Sequence, residues 1–107
     1  MQQDNFRRIL LDAVEESLSS LGESSKHAIL FHLEMSFKIK KEHIPVNLTE
    51  FAGALEGIFG FGASYLEKLI LKRLCEKLGV ELEETEVCNF VECVSKMQQQ
   101  TATNGGG

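Results

Sequence analysis

An all-α compact bundle of about five helices followed by a disordered C-terminal tail is the architecture this sequence predicts, and three observations predict it. Apolar residues recur at intervals of three and four rather than two, which is the helical period. A single proline, Pro45, interrupts the chain, and glycines stand where helices would stop. The length of 107 residues suits one domain, expected over 1–97 with a flexible tail over 98–107, and the 43% hydrophobic and 25% charged residues are globular proportions. Collagen-like, mucin-like and wholly disordered chains are excluded on the same grounds.

The first helix is expected over residues 5–20, with Asp4 as N-cap. Phe6, Ile9, Leu10, Ala13, Val14, Leu18 and Leu21 form its apolar stripe, and Gly22 is its terminating glycine. Glu23, Ser24 and Ser25 then offer acceptors to the unsatisfied amides of a second helix. Its stripe of Ala28, Ile29, Leu33 and Phe37 is widened by Leu30, Phe31 and Met35, so more than half its surface is apolar. Such a helix is expected at the centre of a bundle, packed by several neighbours, or against a partner chain as well.

Residues 38–45 break the pattern. The residue before Pro45 is driven out of the helical region, so Ile39 and Ile44 are read as anchors of a loop that has room for a short turn at 41–43. Asn47 followed three residues later by Glu50 reads as a capping pair for a short third helix, with Phe51, Leu55, Ile58 and Phe59 on its stripe. Gly60-Phe61-Gly62 is expected to make a tight reversal, with Phe59 and Phe61 tucked against the bundle. The fourth helix, over 63–78, carries the longest clean stripe, Ala63, Leu66, Leu69, Ile70, Leu74 and Leu78, and stops at Gly79. A fifth, over 83–99, is expected to bury Val87, Phe90, Val91, Val94 and Met97, with Glu83, Glu84 and Glu86 at its positive end. The polar residues after it have nothing to bury.

Lys and Arg number 11 against 16 Asp and Glu, a formal charge of −5, which is the wrong sign for a protein living on nucleic acid. Cys75, Cys88 and Cys93 are odd in number and not closely paired, so free thiols in a reducing compartment are expected. The N-terminus carries acids where a signal peptide needs an apolar stretch, and no window approaches the roughly 18 apolar residues of a membrane span. A soluble, cytoplasmic protein is the expectation.

Candidate chemistry is sparse. His27 and His32 are five apart, as are Cys88 and Cys93, and five helical steps separate side chains by roughly 140°, so neither pair chelates within one helix. Cys75 and Cys93 are read as small core residues and no metal is expected. No GxSxG is present, no cysteine is framed by glycine, and Ser19, Ser20, Ser24 and Ser25 stand at a helix junction where capping explains them. Gly57, Gly60 and Gly62 follow the order GxxGxG, without a preceding strand or a following Lys-Ser or Lys-Thr, so they mark a turn and not a nucleotide site. No catalysis and no cofactor are expected.

Charge is segregated. Residues 62–79 carry Lys68, Lys72, Arg73 and Lys77 against Glu67 and Glu76, whereas residues 80–92 carry Glu81, Glu83, Glu84, Glu86 and Glu92 without a cation. The four cations read either as an ordinary solvated face or as a ridge that would lie on phosphates, the second helix of a helix-turn-helix-like transcriptional regulator. A small-ligand site between helices two and four, around Phe31, His32 and Tyr65, is a third reading.

A family resemblance covers residues 5–79. The run Leu21-Gly22-Glu23-Ser24, then Ala28, Phe31-His32-Leu33-Glu34, Phe37-Lys38-Ile39, Ile44-Pro45, Phe51, Ile58-Phe59-Gly60, Gly62-Ala63, Leu66-Glu67 and Ile70-Leu71 resembles the archaeal Nitrosopumilus output domain (fifth type), a family of small helical signalling-output modules. The resemblance implies an all-helical effector or interaction module and assigns no catalytic or ligand residue. Gly53, Phe61 and the helix beyond Gly79 depart from it. Together these readings favour a non-catalytic protein-interaction or signalling-output module, bound to itself as a homodimer or to another signalling protein. Leu30, Phe31, Met35, Ile70 and Leu71 would form its apolar contact strip, and the runner-up is a DNA binder using Lys68, Lys72, Arg73 and Lys77.

Overall fold

A computed structural model of the chain describes residues 2–80 and 89–106, with side chains over 5–80 and 89–99. The helices are α1 (Gln2–Ser19), α2 (Glu23–Phe37), a 3-10 helix (Lys41–Val46), α3 (Leu48–Phe59), α4 (Gly62–Leu78) and α5 (Phe90–Gly106), with no strand among the described residues. The all-α bundle expected from the period-3.6 pattern is therefore the fold.

The centre of the bundle is α4, which packs most extensively on α1 and also on α3 and α5. Its buried side holds Ala63, Leu66, Ile70, Leu71, Leu74 and Cys75. From α1 come Phe6, Leu10, Ala13, Val14, Leu18 and the fully buried Ser17, whose hydroxyl donates to the Ala13 carbonyl at 2.8 Å. That bond satisfies the only polar residue buried among the described residues. Phe51 of α3 and Phe90 of α5 close the core with ring centroids 6.3 Å apart.

The expectation that α2 is central is corrected. It packs on α1 and α3 and buries only Ile29 and Leu33, because α4 already supplies the wide apolar arc that a central helix needs. Behind α2, Ile39 and Ile44 are buried as anticipated and seat the 3-10 helix, inside which Pro45 lies.

Helix ends account for the other departures. α1 begins at Gln2, so Asp4 lies inside it and is no cap. Gly22, at φ 111°, accepts from the Lys26 amide while its own amide donates to Ser19, so one residue with left-handed backbone freedom both closes α1 and opens α2. Asn47 makes no side-chain cap, because the 3-10 helix runs directly into α3: its amide donates to the Ile44 carbonyl at 3.1 Å and its carbonyl accepts from Phe51 at 2.8 Å. The working cap lies elsewhere, at Asn89, whose side-chain oxygen accepts from the Glu92 amide at 2.8 Å while its amide nitrogen donates to the Glu92 carboxylate at 2.9 Å. The fifth helix thus starts seven residues later than expected. Val87, Glu83, Glu84 and Glu86 lie outside the described residues. As backbone, α5 continues to Gly106, but the last of its described side chains to be buried is Met97.

At the α3–α4 junction Gly60 adopts φ 61° and ψ −127°, the reversal foreseen for it. Phe59 packs against the core, but Phe61 does not: it is 101% exposed. Its position on α4 lies roughly opposite that of Ile70, which faces the core.

At the end of α2, Lys38 is the one non-glycine residue with positive φ among those described, at φ 60° and ψ 34°, a conformation that costs an L-residue about 1–2 kcal/mol. Lys38→Gly removes that cost at the expense of a looser unfolded chain and is expected to raise the unfolding free energy by about 0.5–1 kcal/mol, measured by urea denaturation.

Candidate protein-interaction face

Ile29 and Leu33 set the orientation of α2 by facing the core. At about 100° per residue, Phe31 and Met35 lie on the opposite side of the same helix, and they are 67% and 56% exposed. Ala28 and Ser24, one and two turns N-terminal to Phe31, continue this outer stripe and are also exposed. Leu30 is half-buried at the border with the body.

Ion pairs from Glu15 tie both α2 and the 3-10 helix to α1. Glu15 of α1 receives Lys26 of α2 at 3.5 Å and Lys41 of the 3-10 helix at 3.7 Å. At the C-terminal end the Phe37 ring meets His32 edge-on at 5.6 Å and lies over α3 at Gly57, where an added Cβ would come within 3.3 Å of the Phe37 ring. The Lys38 ammonium donates to the Met35 carbonyl at 3.2 Å. At the other end Glu23 and His27 stand 4.0 Å apart on the surface.

Of the strip expected from sequence, Phe31 and Met35 are brought together on this face. Ile70 and Leu71 are a correction: both are buried in α4, because α1, α3 and α5 close on that helix from different sides. The small-ligand reading is also corrected, since Phe31, His32 and Tyr65 all stand exposed rather than enclosed between α2 and α4.

The basic ridge divides in two. Lys68 and Lys72 are exposed and make no ion pair with any described residue, and they share a face with Phe61 and the 69% exposed Tyr65. Arg73 and Lys77 lie on another side of α4, roughly 100–180° away, and reach Glu16 of α1. The hydrogen bond from Lys77 leads in holding the Glu16 carboxyl below its ordinary range, with Arg73 adding to it. Two of the four cations are thereby committed to joining α4 to α1.

Cys75 is a buried free thiol that donates to the Met97 sulfur at 3.9 Å, and burial, helped by Glu76, pushes its pKa up, the reverse of an activated nucleophile. Cys93 is buried as expected of a core residue but is disulfide-bonded, which corrects the expectation of free thiols at that position. Cys88 lies outside the described residues. No three His, Cys, Asp or Glu side chains among the described residues are grouped as a metal site requires, and no described helix is long and apolar enough to cross a membrane. Compared with protein-family models, with characterised proteins and with solved structures, the chain finds no match in any of the three.

Glu16→Gln is expected to lower stability at neutral pH by less than about 1 kcal/mol, the range of a largely exposed ion pair. Because the folded pKa of Glu16 is depressed, the wild-type advantage is present above the unfolded carboxylate pKa and is lost as pH falls through the folded one. Unfolding curves of the two proteins should therefore converge in acid.

Proposed function

We propose that the protein is a non-catalytic protein-interaction module that self-associates through the outer face of α2. The observation that carries this reading is the exposure of Phe31 and Met35 on the side of α2 opposite its two buried anchors. Fully burying such a side chain is worth about 1.5–3 kcal/mol. Four of them across a symmetric interface offset part of the association cost, which predicts a weak dimer with Kd in the range of about 10 µM to 1 mM. The resemblance to archaeal output domains supports the same reading, with the module passing a signal by contact rather than by chemistry.

The DNA-binding alternative has less to rest on. Glu16 holds Arg73 and Lys77, which leaves Lys68 and Lys72 as the pair of the four without an ion pair to a described residue, and few phosphates would be neutralised.

Light scattering across that concentration range should show mass rising toward a dimer. Phe31→Asp should keep the chain monomeric while its circular dichroism and melting temperature stay near wild type, since the side chain lies outside the core. A wild-type chain that is monomeric throughout, and that gains mass with duplex DNA only at low salt, overturns the proposal and promotes the reading based on Lys68 and Lys72.

A further inference from the structure

The outer stripe of α2 is ordered by size and by charge along its length. Ser24 and Ala28 are small and occupy its N-terminal half; Phe31 stands at the middle; Met35 is long and occupies its C-terminal half, and the long Lys38 follows directly after the last helical residue. All five are exposed, and the four that lie on the helix, Ser24, Ala28, Phe31 and Met35, share one sector of it at the spacing 4, 3, 4 of a helix-packing seam. The charges follow the same polarity. Glu23 lies at the start, and Lys38 and Lys40 at the end, each exposed.

A parallel pairing of two such helices would set small on small, leaving gaps, and would place Glu23 against Glu23 and Lys38 against Lys38. An antiparallel pairing about a two-fold axis at Phe31 sets Ser24 level with the partner copy's position 38, and Ala28 beside position 35. The long half of each helix then fills the space left by the short half of the other. Glu23 faces the end of the partner copy's α2, beyond which Lys38 and Lys40 follow, so acid meets base at both ends of the interface, and the two helix dipoles oppose. The polarity that makes a parallel pair fail is what makes an antiparallel pair complementary to itself, as an isologous contact must be.

We propose that the occupant of this face is a second copy of the chain, docked with α2 antiparallel to α2 about a two-fold axis at Phe31, with Glu23 paired to Lys38 and Lys40 across the interface. The inference rests on the self-association reading and adds to it the partner, the direction and the register. His27 and Glu34, also exposed, border the seam and fall level with positions 35 and 28.

Charge reversal tests it. Glu23→Lys or Lys38→Glu alone sets like charges together twice in each dimer, and each is expected to raise the dimer Kd about five- to tenfold at low salt. The double variant re-pairs the charges in swapped order and should return Kd to within about twofold of wild type. A second measurement does not depend on those residues. Ala28→Cys and Met35→Cys proteins, mixed and treated with a short dithiol-reactive cross-linker, should yield mostly the mixed 28–35 product, with Ala28→Cys alone linking poorly. A dimer whose Kd ignores both reversals, or in which position 28 links to position 28, overturns the antiparallel register while leaving self-association standing. A wild-type chain that never exceeds monomer mass removes the self-association reading and this inference with it.

Discussion

The packing of α4 against α1 is the constraint from which the rest of the structure follows. The buried arc of α4, from Ala63 through Ile70 and Leu71 to Cys75, is wide enough to take α1, α3 and α5, and it cannot be covered by one neighbour. Small side chains on α1, Ala13 and Ser17, stand on its buried side, and the Ser17 hydroxyl turns back onto its own helix. At the exposed edge, Glu16 gathers Arg73 and Lys77. Hydrophobic area supplies most of the stability of such a contact, and the ion pairs add direction more than energy.

Once α4 holds the centre, α2 is left at the rim. Ile29 and Leu33 anchor it, and Glu15 pairs with Lys26 on α2 and Lys41 just beyond it. These ties fix the rotation of α2 about its axis, and a fixed rotation decides which apolar residues remain outside. Helix two has more apolar surface than a rim position can bury, and the surplus is Phe31 and Met35. Phe37 is a partial exception, accommodated over α3 because Gly57 offers no side chain in its path.

The helical period made the bundle, its core residues and most of its boundaries legible from sequence, while the division of labour among helices was not. Periodicity reports how wide an apolar face is. It does not report whether neighbours or solvent cover it, so α2 read as central and Ile70 with Leu71 read as surplus. Capping shows the same limit at smaller scale. Asn47-x-x-Glu50 and Asn89-x-x-Glu92 are equivalent strings, yet only the second forms the reciprocal bonds; Asn47 is at once the residue that ends the 3-10 helix and the one that precedes α3. The four cations of α4 lie close in sequence, but the helix turns roughly 100° per residue and distributes them to two faces. Of the interaction face itself, Phe31 and Met35 could be named in advance. The seat of Phe37 on Gly57 and the outward turn of Phe61 could not, since each depends on where a neighbouring helix lies.

Removing Phe31 or Met35 from α2 would leave its two core anchors and its ion pairs in place, so the fold itself does not require apolar side chains there. Exposed on a monomer, they are a solubility liability, and a polar residue at either site would serve the bundle equally well. A second exposed pair, the aromatic Phe61 and Tyr65, has lysines along the same face and stands beside a glycine turn, without the graded order of small to long side chains found on α2. That order matters because it converts a merely apolar surface into one complementary to its own reverse. Two copies can satisfy it without any other partner, and the side chains that the fold leaves in water are the ones such a pairing would take out of it.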